Sequence, residues 1–313
     1  MNKLIVFLAL FLSGMKYNFF QVKKIPFDYM MFLLLGCRNS LKIMIFMAMA
    51  GCYKHKWKKN KSIGEENKRV ITTSEVARSK YHTPYEWVHV RRVFLEKCII
   101  DYNAQEFNQD FLSMINELND IIANVKKDGT PVILAPLHMV SDLLAVFVAS
   151  KASQCKTTVI ISAGAHKLTQ KDFSHRGINL HYCSIHQSKY NFAEKMTILL
   201  DEVIAGDNNL IIFPDIIPSY STHNADTLNG SRLTCRMFNR AASIHAGIIK
   251  LSKMTKAKVI PFYLSYGNSF SIHVYSPVCH LKIAEELPRI LESAILNNSD
   301  DWLLWHYKKL YFC

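Results

Sequence analysis

The chain has 313 residues, half of them hydrophobic, which excludes a disordered polypeptide and gives enough material for one large domain or two modest ones. Lys and Arg number 38 against 25 Asp and Glu, a net charge of +13 with a pI near 9.3, so anionic partners fit, a membrane surface or nucleic acid first among them. The eight cysteines (37, 52, 98, 155, 183, 235, 279 and 313) are scattered, without a C-x-x-C pair or the Cys/His spacing of a zinc site. They read as reduced thiols in a cytosol-facing protein, and no metal or redox cofactor is expected.

Leu4 to Leu12, after Lys3, has the apolarity of a signal-peptide core but falls short of the roughly 20 residues of a transmembrane helix. A second apolar stretch, Tyr29 to Gly51, is interrupted by Arg38, Asn39, Ser40 and Lys42. Two short apolar arms with a cationic elbow suit a helix lying in the membrane interface, or a re-entrant hairpin, better than a straight span. The segments ending at Cys37 and Cys52 look like lipoprotein cleavage boxes, but neither follows an ordinary basic leader. Lys54 to Lys61 is a basic run with one Trp; next to apolar arms it reads as a contact with anionic head groups, about 1 kcal/mol per cation. No helix-turn-helix, zinc or RNP-type signature supports nucleic-acid binding. The change in composition divides the chain into a membrane-associating segment, 1–62, and an α/β domain, 63–313.

In that domain Val88 to Tyr102 and Phe107 to Val125 carry apolar residues at three- and four-residue spacing and predict amphipathic helices. Strands and helices then alternate. Strands are expected at Val132–Leu137, Thr157–Ser162, Leu210–Phe213, Val259–Leu264 and Phe270–Tyr275, and helices at Ser141–Lys151, Asn191–Ala205 and Ser243–Thr255. Strands that are apolar throughout imply a mainly parallel central sheet covered by helices on both faces.

The chemistry concentrates just after the first strand, where His138 and Asp142 stand at the carboxyl edge of the sheet. An imidazole with a pKa near 6.5 is suited to take a proton from an attacking hydroxyl, and a carboxylate on its other nitrogen would fix the tautomer. His138 is the expected general base and Asp142 its orienting acid. Asp215, after a second apolar strand, is expected to organise the loop that follows it. Ser162 to His166 contains a Ser and a His but lacks the G-x-S-x-G elbow of a hydrolase. The loop Ser219 to Asp226 is polar enough to cover a site, and a metal centre from His223 and Asp226 has little to support it. Trp302 and Trp305 are expected to pack the end of the chain onto the domain.

Taken in order, His138 with its acid, Leu210 to Asp215, Met237 to Arg240 leading into Ala241 to Ser252, Val259 to Pro261, and Leu291 to Ile295 followed by Trp302, Trp305 and His306 resemble the lipid A biosynthesis (late) acyltransferases, a branch of the glycerolipid acyltransferase superfamily. The resemblance covers roughly residues 85 to 310. It implies transfer of a fatty acyl group from an acyl carrier protein or acyl-CoA to a hydroxyl or amine of a lipid or glycolipid, at the cytoplasmic face of the inner membrane. It also implies that Arg240 contacts an anionic acceptor, with Asn239 where the family carries Gly, and that Arg176 is a secondary acceptor contact. The family spacing is His-x4-Asp or His-x4-Glu, whereas this chain has His-x3-Asp. On a regular helix positions i and i+4 share a face, so the pair would still meet. A non-catalytic lipid- or carrier-binding relative and a lipid ester hydrolase remain as alternatives.

Overall fold

The computed structural model describes residues 27–72, 84–153, 155–161, 180–184, 189–218, 232–308 and 310–312. The sheet has six strands: β1 (Val132–Pro136), β2 (Lys156–Ile161), β3 (Leu180–Ser184), β4 (Asn208–Ile211), and, after a separate hairpin, β7 (Lys258–Tyr266) and β8 (Phe270–Val274), in the spatial order β3-β2-β4-β1-β7-β8. All neighbours are parallel except β7 and β8, which form an antiparallel edge. The hairpin consists of β5 (Arg232–Met237) and β6 (Arg240–His245).

Side chains of β1 alternate between two cores, as the two-residue period of a strand requires. Val132 and Leu134 face a core closed by α1 (Phe27–Met49), α3 (Tyr85–Glu96), α4 (Asn108–Lys126) and α5 (Asp142–Ala152). Ile133 and Ala135 face a second core with α6 (Lys189–Ile204), α7 (Gly247–Thr255), α8 (Ile283–Asn297) and the buried indoles of Trp302 and Trp305. The mainly parallel sheet with helices on both faces is therefore as the apolar strands imply.

The structure departs from the sequence reading at several points, and β3 and β5 fall where no strand is expected. Residues 243–245, expected to start a helix, instead end β6, so α7 begins only at Gly247. The reason is the turn before them: Phe238 and Asn239 have φ of 53° and 58°, the two positive values that join strands of matching twist in a two-residue hairpin. The helix predicted to reach Tyr102 passes into a π-turn over Lys97–Asp101. The basic run continues as a helix, α2 (Lys54–Thr72), which passes through the expected division at residues 62 and 63.

The apolar stretch forms α1, long and apolar enough to cross a membrane by length and composition, but Gly36 breaks it with φ 73° and ψ 173°. The Ser40 hydroxyl donates to the carbonyl of Met31 at 2.9 Å, a contact between positions nine residues apart that a continuous helix would hold far from each other, so the chain folds back at Gly36. Glu106 caps the second arm, accepting the backbone N–H groups of Cys37 and Arg38 at 2.5 and 3.2 Å. Cys37, Leu41, Met44 and Ala48 of this arm are buried, while Leu33, Leu34, Phe46 and Met49 are exposed. Leu4 to Leu12 lies outside the described residues.

Helices α2 and α3 clamp the C-terminal segment. Asn67 donates to the carbonyls of Trp305 and Tyr307, both at 2.7 Å, Lys68 pairs with Asp300, and Arg91 pairs with Asp301. On α3 the ring of His89 meets the Tyr85 hydroxyl at 3.0 Å and lies 5.9 Å from His306. Burial, then the neighbouring His306 and Arg92, push the pKa of His89 down to about 4. The unfolded chain, with an ordinary histidine near 6.5, therefore binds the proton more readily than the folded one, and stability falls as pH drops through that window.

Two outcomes are expected from this packing. Acidification from pH 6.5 toward 4 lowers the unfolding free energy by about 1.4 kcal/mol per pH unit through His89, and urea titrations of His89→Gln lack this component. Gly64→Ala, which on helix propensity alone would stabilise α2, instead lowers the urea midpoint, because the new Cβ would stand 2.3 Å from the ring of Tyr85. A cost of about 1–3 kcal/mol is expected from such overpacking.

Candidate active site

Strands β1 and β4 are parallel neighbours with Leu134 opposite Ile211, and His138 and Asp215 stand equally far beyond these paired residues. The register therefore brings the two side chains level at the carboxyl edge of the sheet. Asp215 is 0% exposed, so its carboxylate must be satisfied by protein donors. Its Oδ1 accepts Nδ1–H of His138 at 2.8 Å, and its Oδ2 accepts the backbone N–H of His138 at 2.9 Å and the indole N–H of Trp302 at 3.0 Å. The Tyr311 hydroxyl donates to the backbone carbonyl of Asp215 at 2.6 Å. Because a carboxylate only accepts, the His138 ring carries its proton on Nδ1 and leaves the lone pair on Nε2. The ring packs on Phe213, centroids 4.3 Å apart, and keeps 14% of its side-chain surface.

The backbone that presents His138 is strained. Met139 N–H donates to the carbonyl of Leu137 and Ser141 N–H to that of Met139, both at 2.7 Å, so two tight turns follow one another. Val140, at the centre of the second, has φ of 61°. A β-branched residue in this region costs on the order of 1–3 kcal/mol and persists only where its surroundings over-determine it. They do so here. Val140 N–H donates to the carbonyl of Asp301 and Leu303 N–H to that of His138, both at 2.9 Å, which stitches the turn to the clamped C-terminal segment.

Asp142 does not orient the ring. Residues 138–141 are turns rather than helix, so the i, i+4 relation fails, and Asp142 is instead the first residue of α5. Its carboxylate pairs with Arg92 of α3 at 2.6 Å. Arg92 Nε also donates to Glu96 at 2.9 Å, and Glu96 accepts the hydroxyl of Ser141 at 2.6 Å, which in turn accepts Leu144 N–H at 3.1 Å as the N-cap of α5. Burial works against charging the His138 ring, but the charge and hydrogen bond of Asp215 outweigh it. Asp142 adds to them and Arg92 opposes them, so the pKa lies above the ordinary histidine value.

Arg240 and Asn239 belong to the β5–β6 hairpin. Arg240 is exposed at the start of β6, its guanidinium 3.9 Å over the ring of Phe312, and the carbonyl of Asn239 accepts Arg236 at 3.3 Å within the hairpin turn. The hairpin reaches the site through the backbone: Ser243 N–H donates to the carbonyl of Tyr311 at 2.8 Å, and Tyr311 holds Asp215. Arg176, Ser162 to His166 and Ser219 to Asp226 lie outside the described residues. Among the described residues no three His, Cys, Asp or Glu side chains are grouped to hold a metal ion.

Sequence reasoning missed the donor role of Trp302 and the Arg92–Glu96 pair. The second was open to detection as an i, i+4 charge pair on a predicted helix; the first had no local signal. Neither the protein-family models nor the curated proteins compared with this chain match it.

Trp302→Phe keeps the ring but deletes one donor to a fully buried carboxylate. A loss of about 1–3 kcal/mol in unfolding free energy is expected, read by urea denaturation, and a value within error of the native protein would contradict the role given to the indole.

Proposed function

We propose that the chain is an acyltransferase that moves a fatty acyl group from a thioester, acyl carrier protein or acyl-CoA, to a hydroxyl or amine of a membrane-associated lipid or glycolipid. The observation that carries the reading is the His138–Asp215 pair at the carboxyl ends of adjacent parallel strands, which leaves the imidazole lone pair on Nε2. The order of motifs along the chain, which resembles the late acyltransferases of lipid A biosynthesis, supplies the reaction class. The proposal exchanges the orienting acid, Asp215 for Asp142.

In this reaction Nε2 of His138 removes the proton of the acceptor hydroxyl as its oxygen attacks the thioester carbonyl carbon. The new C–O bond forms, the C–S bond breaks, and the imidazolium returns the proton to the departing thiolate. Asp215 is suited to stabilise the imidazolium through Nδ1–H without itself taking the proton. The raised pKa of His138 makes it a stronger base, at the cost of a larger protonated fraction near neutrality.

Attachment to the cytoplasmic face of the inner membrane is part of the same proposal. The folded-back α1 exposes Leu33, Leu34, Phe46 and Met49, and the basic α2 follows it directly. Apolar side chains beside a cationic helix match the chemistry of an anionic bilayer surface.

His138→Ala is expected to lower acyl transfer by about 10²–10⁴-fold, measured as thiol release from a thioester in the presence of a lipid extract. Mass spectrometry of extracts from cells with the native protein should show one species heavier by an acyl chain, absent with His138→Ala. Free fatty acid released without any acceptor would identify a hydrolase instead, and biological activity surviving His138→Ala would identify a binding protein.

The pH profile tests the pair itself. A general base works only when neutral, so kcat/KM should fall on the acid side with an apparent pKa above 6.5. Asp215→Asn removes the larger of the two carboxylate influences that raise the pKa and leaves burial, so the acid limb should move to lower pH while the rate at the plateau drops.

A further inference from the structure

From Arg232 to Lys258 the chain carries seven Lys and Arg but neither Asp nor Glu, so much of its positive excess is concentrated in one stretch. That stretch forms β5, β6 and α7, all packed through the same core on one side of the sheet. On β5 the strand period turns Leu233, Cys235 and Met237 inward and Arg232, Thr234 and Arg236 outward, where all three are exposed. On α7 Lys253 is exposed, and Lys256 follows at its left-handed C-cap, also exposed. Among the described residues no ion pair engages Arg232, Arg236, Lys253 or Lys256.

We propose that the outer face of the β5–β6 hairpin, continued along α7, docks a small acidic protein that brings the acyl thioester to His138 on a flexible arm. The inference rests on the acyl-transfer reading and narrows its donor. Charge complementarity names an anionic partner. The side of the sheet names a soluble one: the exposed apolar residues of α1 belong to the helix layer on the opposite face, so a flat bilayer in contact with them does not reach the hairpin. Among the described residues of the hairpin and α7 no aromatic ring is fully exposed, since Phe238 packs against Phe312 and His245 is half-buried, whereas single-stranded nucleic acid is held on exposed rings. The hairpin is also tied to the chemistry through two hydrogen bonds, since β6 bonds Tyr311 and Tyr311 bonds Asp215.

The test compares two donors with the same acyl chain, an acylated acyl carrier protein and acyl-CoA, by initial rates of transfer. The double variant Arg232→Glu, Arg236→Glu should raise KM for the carrier-bound donor by about tenfold or more, leave its kcat unchanged, and leave both constants for acyl-CoA within about twofold. Lys253→Glu should act in the same direction by a smaller factor. Added salt should raise KM for the carrier-bound donor less in the double variant than in the native protein. An unchanged KM for the carrier-bound donor, or an equal rise for both donors, overturns the proposal. So does loss of binding to RNA or to anionic vesicles in place of the carrier. If the native protein transfers from neither donor, the acyl-transfer reading fails by itself. Calorimetric titration with the unacylated carrier protein then still tests the docking face, through tighter binding by the native protein than by the double variant.

Discussion

A carboxylate with no exposed surface has to be satisfied from within the protein, and the way Asp215 is satisfied organises the whole carboxyl edge of the sheet. One of its oxygens fixes the His138 ring, the other joins the His138 backbone to the Trp302 indole, and its own carbonyl receives Tyr311. Three distant parts of the chain, the ends of β1 and β4 and the C-terminal segment, are thereby held at one point. Removing any donor leaves a buried charge short of a partner, which is far more costly than a single exposed hydrogen bond is worth.

The same node explains how a strained turn survives. A valine with φ of 61° would relax if the turn were free, but its own N–H is bonded to the carbonyl of Asp301, and the carbonyl of His138, two residues before it, accepts the N–H of Leu303. That segment is in turn gripped by α2 and α3 through Asn67, Lys68 and Arg91. The N-terminal helices, although their composition differs from that of the domain, thus contribute to the geometry around the imidazole. In the proposed reaction such rigidity is useful, because a base misplaced by about 1 Å loses much of its effect.

The molecule is also asymmetric across its sheet. One helix layer carries the exposed apolar side chains of the folded-back α1, and the other carries the basic hairpin and α7. In the proposed function an amphiphilic acceptor and a soluble donor would approach from different sides and meet at the edge where β1 and β4 end. An open α/β sheet suits this arrangement, since its crevice at the carboxyl edge is accessible from both layers.

Much of the architecture is local information. The apolar runs of β1, β2 and β7 and the helical periodicity of α4, α5 and α6 identify their elements to within a few residues, because burial on both faces of a strand or on one face of a helix leaves a direct pattern in the chain. His138 at a strand end was legible for the same reason. The identity of its partner was not. Asp142 is nearer in sequence, but whether it meets the ring depends on the backbone between them, and that backbone is set by residues 301 and 303. Asp215 becomes the partner only because β4 inserts beside β1 in a particular register, a long-range pairing that no window of sequence encodes. The hairpin at Phe238 and Asn239 lacks the usual Gly, and residues 240–245 are too few to separate the period of a strand from that of a helix. Composition and periodicity determined the layers, the basic character and the candidate base; the order of the strands, the fold-back at Gly36 and the acid behind the imidazole were decided by tertiary packing, since each depends on contacts between residues far apart in the chain.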